Sequence, residues 1–158
     1  MFRDRLQYDY LGNWEERPGN RNIEEDFLRT FLKEQGHDQT IIDRTLFLLQ
    51  RAAGDTSKSL YDRNGAVYDM LRYAVKVKPD VGKNTTDVWL IDWKHPEKNH
   101  FAIAEEVTVF GEAAAANTKR PDIVIYVNGI ALGVLELKRS IVSVAEGSRS
   151  VKLAFALT

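Results

Sequence analysis

The spacing of apolar residues changes character about halfway along the chain. From Asn22, the residues Ile23, Phe27, Leu28, Phe31 and Leu32 recur at helical spacing. Glu24, Glu25 and Asp26 fill the first turn, where acids suit the positive end of the helix dipole, and Gly36 ends the helix. A second helix is expected to take Asp38 as its N-cap and to run through Ile41, Ile42, Leu46, Leu48 and Leu49 toward Gly54. A third, shorter helix spans Ala66 to Tyr73, with Asn64 before it. Ahead of all three, residues 1–21 are polar and aromatic and contain Gly12, Pro18 and Gly19. They read as an irregular arm pinned to the body by Tyr8, Tyr10 and Trp14.

Beyond Tyr73 the period shifts toward two. Tyr73 to Lys78 alternates, and Thr86 to Trp93 is rich in strand formers, with Trp89 and Trp93 expected on one buried face. Lys94 to Asn99 is a turn with Pro96, and Phe101 to Phe110 is the next strand. Gly111 to Lys119 reads as a loop in which Ala113–Ala116 form a brief helical turn. Ile123 to Val127 is a short apolar strand, and Asn128-Gly129 signals a hairpin because both residues tolerate positive φ. Its partner, Ile130 to Leu137, is apolar almost throughout, which predicts a central strand covered on both faces. A last helix would begin near Val144.

Helices followed by strands and the start of a helix predict an α+β or α/β fold, with a mixed central sheet flanked by helices. At 158 residues one domain is expected over 1–158. The 44% hydrophobic and 28% charged composition is that of a folded chain and not a disordered one. The absence of cysteine excludes disulfides and thiolate zinc sites. No stretch approaches the roughly 20 apolar residues of a membrane span, and Met1 to Tyr10 lacks a signal-peptide core. A cytoplasmic protein with no membrane partner is expected. The net charge of −1 decides nothing about nucleic acid, because binding needs a local basic surface that a total cannot reveal.

The chemistry concentrates in the last hairpin. Its ionised side chains are Asp122 at the entrance and Glu136 and Lys138 at the exit. Charges in an apolar strand are costly unless paired or coordinated. Glu136 and Lys138 are two apart and project to one face. Two carboxylates with a main-chain carbonyl suit a hard cation such as Mg²⁺, and an adjacent ammonium suits a developing negative charge. The bland alternative is a salt-bridged strand end, Glu136 with Lys138 or Arg139.

Register sets a condition on the catalytic reading. A plain two-residue turn at Asn128-Gly129 pairs Val127 with Ile130, and counting outward sets Asp122 against Leu135. The two carboxylates would then point to opposite faces. A three-residue turn with a Gly129 bulge, or a bulge at Gly133, brings them to one face. A shared metal therefore predicts an irregular hairpin.

The run from Lys119-Arg120-Pro121-Asp122 through Asn128-Gly129 to Glu136-Leu137-Lys138 closely resembles the nuclease motif of type I restriction enzyme R subunits, within the wider PD-(D/E)xK class. Asn22-Ile23-Glu24, Ile91-Asp92-Trp93 and Ala104-Glu105-Glu106-Val107 also look like that family's N-terminal domain, so the resemblance covers residues 8–147. It implies a restriction-endonuclease-like core that cuts double-stranded DNA with Mg²⁺. Asp122, Glu136 and the Leu137 carbonyl would hold the metal, and Lys138 would assist the attacking water. Glu24 is a further candidate acid, with a helix-dipole role as its alternative. Lys119 and Arg120 beside Asp122 are candidate phosphate contacts, or a solvated loop. Implied partners are the motor domains of the full R subunit, which use ATP, and the modification and specificity subunits.

The pattern departs from the family after Gly147. Members continue into a helix with a Gln-xxx-Tyr motif, whereas residues 148–158 contain neither Gln nor Tyr. No G-x-x-x-x-G-K-[ST] phosphate loop occurs in the chain. The expectation is a fragment, with an incomplete or divergent final helix. Two rival readings follow: an inactive folded interaction module, or another DNA-processing nuclease of the same class. His37, His95 and His100 have no metal-ligand spacing, and Lys76, Lys78 and Lys83 read as a solvated face.

Overall fold

The structure, a computed structural model, describes residues 1–80, 82–109 and 119–137. The expected Ala113–Ala116 turn, Lys138 and the final helix lie outside the described residues. Along the chain run α1 (Phe2–Leu6), β1 (Asp9–Asn13), α2 (Glu25–Glu34), α3 (Gln39–Ala53), α4 (Leu60–Tyr73), β2 (Val75–Val77), β3 (Thr86–Val88), a 3₁₀ turn (Pro96–Lys98), β4 (Phe101–Glu105), β5 (Ile123–Val127) and β6 (Ile130–Leu135). The chain divides into two compact units, one built on Met1–Asn22 with the strands after His100, the other on Ile23–Asn99.

The Ile23–Asn99 unit is helical with a small antiparallel pair, β2–β3. Leu28, Phe31 and Leu32 of α2 and Ile41, Ile42, Leu46 and Leu49 of α3 are buried, as their spacing predicts. Asp38 caps α3, its carboxylate accepting the Ile41 N–H at 2.9 Å. α4 starts six residues earlier than its apolar pattern suggests. Ser59 caps it by accepting the Asp62 N–H at 3.1 Å, and the first residue of its buried stripe is Arg63, followed by Val67 and Leu71. A charged residue in the stripe hides the helical period. β3 ends at Val88, so strand alternation does not carry on to Trp93. Trp89 and Trp93 are accordingly not core: both are about half exposed, while Leu90 and Ile91 are buried. The Trp93 indole N–H donates to Leu71 O at 2.8 Å.

The other unit is a mixed sheet in the order β1-β4-β5-β6, with β1 parallel to β4 and the remaining pairs antiparallel. The N-terminal segment is therefore not an irregular arm. Asp9–Asn13 is a strand of the main sheet, and its alternation is obscured by a register shift between Tyr10 and Asn13 and by Gly12 at φ +105°. The expected aromatic anchoring is present: Trp14 is buried with its ring 5.6 Å from that of Tyr126, and Tyr8 stacks on Phe101 at 5.1 Å. One face of the sheet buries Trp14, Ala104, Val107, Val124, Tyr126 and Ala131 together. β6 was expected to be central. Among the described strands it lies at the end of the sheet order, with β5 inside it, and Leu132 to Leu135 are only half-buried.

Candidate functional site

The β5–β6 hairpin positions the candidate residues. Asn128 and Gly129 take φ +52° and +82°, the twist-matched two-residue turn that asparagine tolerates and glycine, lacking a Cβ, adopts freely. The turn pairs Val127 with Ile130 and Tyr126 with Ala131. The ladder then breaks: Ile125 pairs with Gly133, Val124 with Val134 and Ile123 with Leu135. Leu132 is the extra residue, so the irregularity that a shared site requires is present, immediately before Gly133. One more step along this register sets Asp122 opposite Glu136. Alternation then places both on the same face as the paired Val124 and Val134.

Asp122 is half-buried, while Glu136 and Leu137 are exposed. A carboxylate oxygen of Asp122 accepts the Leu137 N–H, and the Asp122 main-chain oxygen accepts the Glu106 N–H at 3.0 Å. The hairpin mouth therefore carries two carboxylates on one face by register, with the Leu137 backbone tied to the first of them. These are hard oxygen donors of the kind Mg²⁺ prefers. Among the described residues no three acidic or histidine side chains converge on a metal position. A cation here would complete its shell with main-chain and water oxygens, as Mg²⁺ commonly does.

The family model for the type I restriction enzyme R protein N terminus matches residues 1–155. The chain belongs to this family. A Methanocaldococcus jannaschii protein bearing the name "Putative type I restriction enzyme MjaIXP endonuclease subunit" is 35% identical over 78 residues, which are 48% of this chain and 8% of that protein. The chain thus aligns with a small part of that relative's length.

In this R protein N terminus the other residues singled out from the sequence fall in both units. Glu24 is the N-cap residue of α2, half-buried and without a side-chain capping bond, and it belongs to the Ile23–Asn99 unit. Lys119 is exposed, with its backbone bridged to Val109 by bonds of 2.9 and 3.0 Å. Arg120 points its guanidinium at two acids, with Nε 2.9 Å from a Glu106 carboxylate oxygen and another nitrogen on Glu15. Sequence reasoning did not single out Glu15 for any role, nor Glu106 for this one. Their pairing depends on β1 lying beside β4, and that adjacency has no local sequence signal. At the same end of the sheet Glu105 accepts a bond from the Tyr10 hydroxyl at 3.0 Å, which raises the phenol above its ordinary value. Among the described residues no helix is long and apolar enough to cross a membrane.

Proposed function

We propose that this R protein N terminus is the Mg²⁺-dependent DNA-cutting region of a type I restriction enzyme, of the PD-(D/E)xK kind. The observation that carries the reading is the Leu132 bulge, whose register, continued one step past Ile123–Leu135, sets Asp122 and Glu136 on one face. A regular hairpin from the same turn would separate them.

Asp122, Glu136 and the Leu137 carbonyl would hold the metal, which when bound polarises a phosphoryl oxygen and makes a bound water a better nucleophile. The remaining work falls to the chain. Asp122, tied to the Leu137 N–H, keeps its carboxylate at the hairpin mouth. Lys138 takes the role of orienting the attacking water and countering the negative charge that develops on the phosphoryl group under attack. Lys119, exposed beside this mouth in sequence, supplies a phosphate contact that sets DNA position without reading bases. Sequence recognition and ATP-driven translocation belong to the specificity and modification subunits and to the motor domains of the full cytoplasmic subunit.

Mn²⁺ titration of the chain, followed by electron paramagnetic resonance, tests the site. The wild type is expected to bind one ion per chain, and Asp122→Ala and Glu136→Ala are expected to lose it with the circular dichroism spectrum unchanged. A wild type that leaves all Mn²⁺ free would make this region a folded scaffold and remove the nuclease reading.

A further inference from the structure

We propose that Arg120 is a positioning residue: with Glu15 and Glu106 it forms a charge clamp that fixes the start of β5, and through it the Asp122 carboxylate, to the ends of β1 and β4. The role rests on the proposed use of Asp122 as a metal ligand, but the clamp itself can be tested without metal.

Three segments meet at one end of the sheet. Glu15 follows β1, Glu106 follows β4 and Arg120 precedes β5. Backbone and side-chain bonds already hold the first two together. The Trp14 N–H donates to Glu105 O at 2.8 Å, and the Thr108 hydroxyl donates to Glu15 O at 2.8 Å. The Asn20 side-chain amide donates to Trp14 O at 2.8 Å and to Thr108 O at 3.1 Å. Arg120 joins the third segment to both, through Glu106 and Glu15.

The coupling to Asp122 is short. Pro121, buried, is the single residue between Arg120 and Asp122, and its ring fixes φ. Glu106 sits at φ +51°, a left-handed conformation that a non-glycine residue holds only when its surroundings impose it. From that conformation its N–H bonds Asp122 O while its carboxylate meets Arg120. Arg120 and Glu106 therefore grip Asp122 from the preceding residues and from the neighbouring strand.

Exposure separates this role from a stabilising one. The side chains of Arg120 and Glu15 are each 48% exposed and that of Glu106 is 34% exposed. Ion pairs so open to water contribute little to stability. Their geometry is nevertheless specific, because a planar guanidinium engages two carboxylates in fixed directions. The same pairing sets Arg120 apart from Lys119 as a phosphate contact, since two acids already neutralise its charge.

The test is Arg120→Ala in the full chain, read first without metal by hydrogen exchange at the Leu137 amide, the donor to Asp122. Exchange there should quicken several-fold while the melting temperature stays unchanged. Mn²⁺ affinity should fall by roughly 10- to 100-fold, as for other residues that orient a ligand, and Arg120→Lys should restore part of both. An unchanged Leu137 amide with unchanged Mn²⁺ affinity would overturn the clamp, and a weakened, less salt-sensitive DNA affinity alongside would make Arg120 a phosphate contact instead. If Leu137 responds but the wild type binds no Mn²⁺, the clamp stands and the metal reading falls. If Arg120→Ala does not fold, Glu106→Gln, which keeps the side-chain size, decides by the same amide: quickened exchange supports the clamp, unchanged exchange removes it.

Discussion

The carboxylate of Asp122 accepts the backbone N–H of Leu137, fifteen residues further along the chain. The residue entering β5 is thereby tied to the residues leaving β6. The bond depends on register, because Asp122 faces Glu136 only after the extra residue Leu132 has been taken out of the ladder.

That dependence can be tested by changing strand length. Deleting Leu132 removes the bulge but leaves Ile125 opposite Gly133, so Asp122 should still face Glu136 and Mn²⁺ binding should survive. Inserting one alanine after Val134 moves Leu135 opposite Asp122 and should abolish binding, with strand content retained by circular dichroism. Equal affinity in both variants would mean that register does not build the site.

Lys138 is assigned a role in hydrolysis and none in holding metal. Lys138→Ala should therefore keep wild-type Mn²⁺ affinity while DNA cleavage by the full R subunit slows by roughly 10²- to 10³-fold, the usual loss for one charge-stabilising donor. Wild-type cleavage rates would end the assignment.

Local signals in the sequence were sufficient wherever one element determined the outcome. The Asp38 cap, the β5 boundaries and the Asn128-Gly129 turn all follow from neighbouring residues. The need for an irregular hairpin also followed from counting outward from the turn. What was not legible depends on long-range pairing. β1 was hidden by Gly12 and its register shift, and the place of β6 among the described strands by an apolar run that suits an inner strand equally well; only the start of α4 was missed, because Arg63 interrupts its apolar stripe. The acids paired with Arg120 come from strand ends that only the sheet brings together.

Asn128 does two jobs in the hairpin. It holds φ +52°, and its side-chain oxygen accepts the His100 N–H at 2.8 Å while its own N–H donates to His100 O at 2.8 Å. Asn128→Ala should cost about 1–3 kcal/mol through the lost acceptor, with backbone strain added. Asn128→Gly relieves the strain alone and should recover only part of the loss. Urea melts of the two variants separate the contributions, and full recovery by glycine would show that the His100 bond is unimportant.

Trp14 joins the N-terminal strand to the sheet core. It is 7% exposed and packs against Tyr126. Trp14→Ala should destabilise the chain by about 3–5 kcal/mol, the range for emptying a buried aromatic site, and Trp14→Phe by less. A loss under about 1 kcal/mol, the scale of a surface substitution, would mean that Trp14 does not anchor the N-terminal strand.

Asp92 gives a pH dependence whose sign can be worked out. Its carboxylate accepts the His95 N–H at 2.9 Å and the Lys94 N–H at 3.0 Å, closing the turn that leads into Pro96–Lys98. The His95 backbone bond is the largest influence; with the Lys94 bond and the nearby positive charges it outweighs partial desolvation and holds the acid below its ordinary value. A folded-state value below the unfolded one means that the native chain binds this proton less readily. The contribution to stability is therefore complete above the ordinary carboxylate range and disappears as pH falls through the lower folded value. Asp92→Asn removes the titration and weakens the turn's acceptor. Urea-melt free energies should show the wild type ahead of the variant near neutral pH and the gap closing below the ordinary carboxylate range. A gap that stays constant to the lowest pH at which the protein folds would mean that the Asp92 charge contributes nothing to this turn.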